Sequence, residues 1–196
     1  MVALPSSSTV LAQDTQGLYA PAPPPDSAFV RVINTSTTPL SANLGNKTAA
    51  APKAGISPYV VIPQGTLAAR SNGSSVNLSV VAGKFYSAVW TGKTFKLITD
   101  SGADDRAKAL LTVYNLSRAA SLDLKTADGK LAVVSGVKPG ESGSRAVNGI
   151  TVDLAAFSGS KVVATFKAVA LERGNAYAVV ITDTGSSLTL SSTTTK

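Results

Sequence analysis

The chain has 196 residues, 44% of them hydrophobic, a formal net charge of +7, and neither histidine nor cysteine. Without histidine, the usual general base of serine and cysteine hydrolases and the commonest transition-metal ligand are excluded. Without cysteine, disulfides, thiolate nucleophiles and zinc–sulfur sites are excluded, and we expect no metal and no cofactor.

The positive charge is spread along the chain, with no run of three basic residues. A basic surface attracts polyanions, and an anionic polysaccharide or a nucleic acid would both qualify. Because the cations are dispersed, the pattern is typical of a mild field and not of a dedicated groove. We therefore expect no nucleic-acid partner and keep an anionic polysaccharide as a possible ligand.

The first 27 residues indicate processing and extended chain. Residues 1–12 are mostly small and apolar and end in Val10-Leu11-Ala12, which has the spacing of an export-signal cleavage site, although the basic start of a signal is missing. A plain N-terminal tail is the alternative. Residues 13–27 contain four prolines and are typical of an extended lead-in. No apolar run approaches the roughly 18–20 residues that span a membrane.

A short pattern that occurs twice predicts two tandem domains. Phe29 to Asn34 opens a stretch that closes around Gly83, and Leu110 to Asn115 opens a second stretch that closes around Gly174. The two asparagines are 81 positions apart and the two glycines 91. This period is too long for a solenoid and suits two small domains. We expect the additional residues of the second copy to form an extra hairpin at 150–170.

Short strands rich in β-branched residues, with turns about every 8–12 residues, predict an all-β fold. We expect two tandem antiparallel β-sandwich domains of Ig-like or jelly-roll-like type, at 28–99 and 108–190, joined by a polar linker at 100–107. Only residues 104–111 could form a helical turn or two.

The predicted strands follow the alternation of apolar and polar residues. In the first unit they are 29–33, 41–44, 59–62, 76–80, 85–90 and 93–99, with a loop at 48–58 and a hairpin turn at Asn72-Gly73. In the second unit they are 109–115, 121–125, 131–134, 145–147, 150–157, 162–170 and 177–182, with a frayed tail from Thr189. The turns at 63–65 and 138–140 are expected at the same station of the two units.

Two residues of the first unit are candidate contact residues. Alternation places Val30 in a core and Arg31 on the outward face, toward solvent. An outward arginine could pair with a carboxylate of a ligand or partner, or pair within the protein. Trp90, the only tryptophan, shares a strand face with Tyr86, which favours a core or interdomain role over a sugar-stacking platform.

Lys125, Glu172 and Arg173 are charged candidates of the second unit. Lys125 precedes Asp128-Gly129, an efficient hairpin turn that explains the local sequence by itself. Glu172 and Arg173 precede Gly174, whose backbone role is a sufficient explanation, and a partner contact is the alternative. No nucleophile elbow, phosphate loop or dinucleotide fingerprint occurs in the chain.

Short segments of both units match a known family. They are Leu18-Tyr19-x-Pro21, 27–31 with Asn34, 124–130, and Val169-x-Leu171-Glu172-Arg173-Gly174. These segments resemble AlgF, the family of periplasmic accessory proteins of alginate O-acetylation. The resemblance extends from about Leu18 to Thr182 and is less clear over 45–75, which leaves the polymer open.

The resemblance implies an exported periplasmic protein of Gram-negative bacteria with two β-sandwich domains. It implies an adaptor without a catalytic set, working beside a membrane-bound acyltransferase and SGNH-type acetyltransferases that acetylate an exopolysaccharide, with alginate the first choice. Two alternatives stay open: a binding module for an anionic polysaccharide, and a relay that carries acetyl on a Ser or Thr hydroxyl. The candidate partner- or polymer-contacting residues are Tyr19, Arg31, Trp90, Lys125, Glu172 and Arg173.

Overall fold

The computed structural model describes residues 22–191, in which every regular element is a β-strand. The first half contains β1 (Ser27–Asn34), β2 (Leu40–Leu44), β3 (Lys47–Ala51), β4 (Val60–Pro63), β5 (Gly65–Ser71), β6 (Ser74–Val80), β7 (Phe85–Trp90) and β8 (Phe95–Asp100). The second half contains β9 (Ala109–Leu116), β10 (Leu122–Thr126), β11 (Ala132–Val137), β12 (Ser142–Val147), β13 (Thr151–Ser158), β14 (Lys161–Ala170), β15 (Ala176–Thr182) and β16 (Ser186–Ser191).

Each half is a sandwich of two four-stranded sheets. The strand orders are β4-β1-β7-β8 and β3-β2-β5-β6 in the first half, and β12-β9-β15-β16 and β11-β10-β13-β14 in the second. Every strand of the first half thus has a counterpart eight strands later. This repeated topology confirms the predicted all-β fold with two tandem domains. No helix among residues 22–191 is long and apolar enough to cross a membrane.

One strand pair in each half departs from the antiparallel pattern. β1 runs parallel to β7, with Arg31 opposite Ser87, and β9 runs parallel to β15, with Thr112 opposite Ala178. The expectation of wholly antiparallel sheets is wrong at these two pairs. β2 to β6 lie between β1 and β7 in the chain, so these two strands are not joined by a tight hairpin, which would require opposite directions.

Each sandwich encloses its own apolar core, made by the inward faces of its two sheets. Val30 and Val32 are fully buried in the first core, as their alternation predicts. Trp90 is 2% exposed and packs on Phe95, with ring centroids 4.9 Å apart. The core interpretation of Trp90 is confirmed, and its ring offers no surface platform for a sugar.

Three strands lie where none was predicted. β3 occupies part of the expected loop at 48–58, and its Lys-Thr-Ala-Ala-Ala sequence has too little apolar contrast to show its alternation. β5 was not predicted because two of its three inward residues, Ala69 and Ser71, are small and give little apolar contrast. β16 extends to Ser191 in the stretch that was expected to fray, held by pairing with β15.

The longer second copy does not contain an additional hairpin. β13 and β14 correspond to β5 and β6, and part of the extra length lies in the strands themselves, with 8 and 10 residues in place of 7 and 7. The matched turns are also different from those expected. Residues 63–65 join β4 to β5, whereas 138–140 join β11 to β12, so the two Pro-containing turns occupy different stations.

The repeated asparagine holds the same loop in both halves. Asn34 Nδ2 donates to the carbonyls of Thr38 at 2.8 Å and Pro52 at 3.0 Å. Asn115 Nδ2 makes the two corresponding bonds, both of 2.9 Å, to the matching loop and to Val137. Both asparagines are at most 1% exposed. In the first half the amide thus links the end of β1 to the residue that follows β3. In the second half it links the end of β9 to the last residue of β11.

Replacing Asn115 by alanine is expected to lower the free energy of unfolding by about 2–4 kcal/mol, because the buried carbonyl of Val137 and the partly buried carbonyl of Ala119 lose their donor. Urea denaturation followed by circular dichroism measures the change. Asn77, which is exposed on β6, provides the matched control, and Asn77→Ala is expected to change stability by less than about 0.5 kcal/mol. Equal effects of the two substitutions would contradict the role assigned to Asn115.

Candidate functional site

The β4-β1-β7-β8 sheet of the first domain packs with its outward face against the outward face of the β12-β9-β15-β16 sheet of the second domain. A third apolar cluster lies between the domains, separate from the two cores, and its buried members are Ile33, Val89, Ile98, Tyr114, Ala178 and Val180. The first three belong to the first domain and the others to the second. The second domain therefore covers the face of β1 and β7 that alternation directs away from the first core.

Arg31 bridges the two domains within this interface and is 3% exposed. Its Nε donates to Ser87 Oγ at 2.9 Å in the same domain. Its Nη2 donates to the Tyr114 hydroxyl at 2.6 Å, and its Nη1 donates to Ser191 Oγ, both in the second domain. The prediction that Arg31 points to solvent is wrong. The alternation placed it correctly on the outward face, but a second domain lies on that face.

Asp100, the last residue of β8, supplies the compensating negative charge. Its Oδ2 accepts hydrogen bonds from Ser87 Oγ at 2.6 Å and from the Tyr59 hydroxyl at 2.7 Å. Its Oδ1 accepts one from the Tyr114 hydroxyl at 2.5 Å. Arg31 Nε lies 3.7 Å from Oδ2, and the guanidinium carbon lies 4.6 Å from the centre of the Tyr59 ring. The internal pairing of Arg31, one of the two readings of this residue, is confirmed.

Arg31, Tyr59, Ser87, Asp100, Tyr114 and Ser191 together form the interdomain cluster. Burial on its own lowers the pKa of Arg31, but Tyr114, Tyr59 and Asp100 outweigh it, and the pKa of Arg31 is raised. Burial raises the pKa of both tyrosines above their ordinary value, and the charge of Asp100 adds to the rise while Arg31 opposes it. The cluster is therefore one ion pair surrounded by neutral hydroxyl donors.

The Ser87 hydroxyl is polarised as a nucleophile would be, but a substrate could not reach it. It donates to a carboxylate and accepts from a guanidinium, yet Ser87 is 0% exposed. Tyr114 is likewise 0% exposed. Among residues 22–191, no buried side-chain nitrogen or oxygen lacks a hydrogen-bond partner. The cluster thus holds no vacant group for a substrate, and it fixes the two domains in one relative orientation.

The remaining predicted contact residues are not members of the interdomain cluster. Lys125 Nζ is 3.3 Å from Asp123 Oδ2 and 5.3 Å from the centre of the Phe157 ring. Glu172 and Arg173 are exposed between β14 and β15, and Glu172 Oε2 accepts from Asn175 at 2.9 Å. A partner-binding role for these three residues stays a prediction. Tyr19 and the predicted signal segment lie outside the described residues.

Most of the cluster was missed from the sequence. Asp100 was assigned to the linker because it opens a polar stretch, and Tyr59 was taken as part of an apolar strand. One signal was available: the outward faces of β1 and β7 carry Arg31 and Ser87, which are register partners, where the second half has Thr112 and Ala178. Among residues 22–191, no three acidic side chains group into a set that could hold a metal ion.

The fold and the cluster define a protein of two tandem β-sandwiches that are joined by hydrogen bonds from a buried ion pair of the first domain to Tyr114 and Ser191 of the second. The family described as "Alginate O-acetyl transferase AlgF" has a model that matches residues 2–178, and the chain belongs to this family. The resemblance drawn from the sequence is confirmed.

Named relatives cover most of the chain. The alginate biosynthesis protein AlgF of Pseudomonas syringae pv. tomato is 40% identical over 175 residues, which are 87% of this chain and 78% of the relative. AlgF of Pseudomonas aeruginosa is 35% identical over 178 residues, 89% of this chain and 82% of the relative. A solved C-terminal domain of AlgF from P. aeruginosa is 42% identical and covers 43% of this chain and 97% of that domain, with a TM-score of 0.38.

Arg31→Ala is expected to lower the free energy of unfolding by about 3–5 kcal/mol, because Asp100 then remains as a buried charge without its partner. Asp100→Asn alone is also expected to destabilise, and the double variant to cost less than the sum of the two single costs. Chemical denaturation of the four proteins of this cycle measures the coupling, with the exposed Arg173→Ala as control. Strictly additive costs would show that the pair does not interact.

Stability is expected to fall as pH rises above about 10. The pKa of Tyr59 and Tyr114 is higher in the folded chain, so the unfolded chain loses these phenol protons first and is favoured at high pH. The stability from both groups is complete below the unfolded pKa. Melting temperatures from about pH 8 to about pH 11.5 test this, and Tyr114→Phe should make the decline shallower. An identical decline in wild type and variant would contradict the assignment.

Proposed function

We propose that this protein is a non-catalytic periplasmic adaptor required for the O-acetylation of an exopolysaccharide, with alginate the first candidate. The observation that carries the proposal is a contrast: the family is described by acetyl transfer, yet the chain has no histidine to activate a serine. The acetyl-transfer chemistry then belongs to partners, a membrane-bound acyltransferase and SGNH-type acetyltransferases, as the sequence resemblance implies.

The interdomain cluster supports an adaptor role on physical grounds. A protein that brings partners together presents surfaces whose spacing must be preserved, and two domains joined only by a short linker would move relative to each other. Here Arg31 is bonded to residues of both domains, and the apolar cluster around Tyr114 adds contact area. Surfaces on the two domains therefore keep a constant spacing.

An acetyl relay is the second candidate, and one hydroxyl favours it. Thr126 Oγ1 donates to Asp128 Oδ1 at 2.5 Å in a solvent-exposed turn. A hydroxyl and a carboxylate are thus paired where an acetyl donor could reach them. However, the pKa of Asp128 is lowered, first by the Thr126 bond and then by the Lys130 backbone N–H. A carboxylate with a lowered pKa is a weaker base for removing the hydroxyl proton. We therefore favour the adaptor.

Deletion of the gene is expected to remove most acetyl esters from the exopolysaccharide at unchanged polymer yield, since an adaptor is needed for modification and not for polymerisation. Acetyl-ester content and uronic-acid yield of the secreted polymer measure the two quantities, with the wild-type gene restored as control. Unchanged acetylation in the deletion strain would contradict the proposed function.

Incubation of the purified protein with p-nitrophenyl acetate separates the two candidates. The adaptor leads us to expect no stable acetyl adduct on Thr126 or Ser87 by peptide mass spectrometry. A stoichiometric adduct on Thr126 that passes to an added acceptor would replace the adaptor with the relay.

A further inference from the structure

The second domain has an open apolar groove, which we call the β11–β12 groove. Its lining includes Leu131, Val133, Val147, Ile150, Val152 and Leu171, and its volume is about 330 Å³. The groove lies beside β11 and β12, which are the edge strands of their two sheets. The two strands belong to different sheets and are not paired through their backbones.

Two large apolar side chains stand in solvent at this groove. Leu131 is 62% exposed and Ile150 is 54% exposed, although each could be buried by a contacting chain. Neighbouring exposed aliphatic side chains in one concave site mark an interaction surface more strongly than scattered ones do. Burial of either side chain would contribute roughly 25 cal/mol per Å² of apolar surface removed from water.

The first domain differs from the second at the place that corresponds to one end of this groove. Leu44 ends β2, is 0% exposed and pairs with Ala69 of β5, so it closes that end of the first core. In the second domain Thr126 ends β10 and pairs with Leu154 of β13, in the corresponding place. The end of β10 is thus polar where the end of β2 is apolar, and the leucine of the pair lies on β13.

The groove is preformed, since hydrogen bonds fix its wall. The Thr126 hydroxyl donates to Asp128 at 2.5 Å and accepts from the Leu131 backbone N–H at 3.1 Å. These bonds hold the turn that carries Leu131 away from the core. Arg145 Nη1 donates to the carbonyls of Ala132 at 3.1 Å and Val133 at 3.3 Å, which places its guanidinium across the groove.

The charged side chains that line the groove are both positive. Lys108 and Arg145 contribute to the lining, and none of the described lining residues is acidic or aromatic. Lys108 also lies 3.7 Å from Asp105, but both side chains of this pair are nearly half exposed, so the pair is weak. The absence of aromatic rings from the lining argues against a sugar, which would stack on such a ring.

We propose that the β11–β12 groove binds an extended segment of a partner protein that carries aliphatic side chains and a carboxylate. The aliphatic side chains would cover Leu131 and Ile150, and the carboxylate would pair with Arg145 and Lys108. An extended segment suits the site because the two edge strands leave backbone groups for β-type pairing. This proposal rests on the adaptor function and assigns one of its contact surfaces.

The first test is genetic and uses the full chain in the deletion strain. Leu131→Glu with Ile150→Glu is expected to lower polymer acetylation at least fivefold, because glutamates repel the carboxylate and remove the apolar contact. Val81, 57% exposed in the first domain, provides the control, and Val81→Glu is expected to restore acetylation as the wild type does. Equal melting temperatures of the purified variants show that folding is intact. Full restoration by the groove variant would overturn the proposal.

The second test identifies the bound segment directly. A photo-crosslinking amino acid at position 131, compared with one at position 81, is activated in cells that produce the polymer, and the linked peptide is sequenced by mass spectrometry. A link from 131 alone to a segment with aliphatic and acidic residues supports the proposal. A link to polysaccharide, lipid or a second copy of the chain, or no link, overturns it. If deletion leaves acetylation normal, the adaptor function fails and this cross-link decides the groove independently.

Discussion

The ion pair of Arg31 with Asp100 is the interaction on which the arrangement of the two domains depends. A buried ion pair contributes little net free energy, because the cost of removing both charges from water offsets their attraction. Its loss is nevertheless costly, since a single remaining charge would stay buried without compensation. The pair therefore contributes less to stability than to the relative orientation of the two domains. Only an orientation that brings Tyr114 and Ser191 to Arg31 satisfies the hydrogen-bond donors of Arg31.

The apolar contacts around this pair work in a complementary way. Burial of Ile33, Val89 and Ile98 against the second domain favours association but tolerates small rotations, because apolar contact is not directional. Hydrogen bonds of 2.5–2.9 Å between Arg31, Asp100, Ser87 and Tyr114 are directional and remove that tolerance. The outcome is a rigid body whose outer surfaces, the β11–β12 groove among them, are held in constant relation to each other.

Much of the fold was predictable because the sequence contains an internal repeat. The repeated asparagines, the alternation in β1 and β9, and the turn at Asn72-Gly73 each follow from local chemistry, and the structure places them as expected. β3 was not predictable because three successive alanines carry no contrast between its faces. The cluster was not predictable because the alternation indicates only which face Arg31 occupies. Which surface covers that face is decided by contacts 83 to 160 positions away.

The two halves share a topology but have diverged where they meet. Arg31 and Ser87 of the first half correspond to Thr112 and Ala178 of the second, while Asn34 and Asn115 make corresponding hydrogen bonds. The contact is consequently heterologous: the first domain's face presents a cation that needs the tyrosine found only on the other face. A first domain meeting the first domain of another molecule would place Ile33 where Tyr114 is required, leaving a guanidinium donor buried without an acceptor. Divergence at these positions thus disfavours association of two first domains and favours contact of a first domain with a second domain.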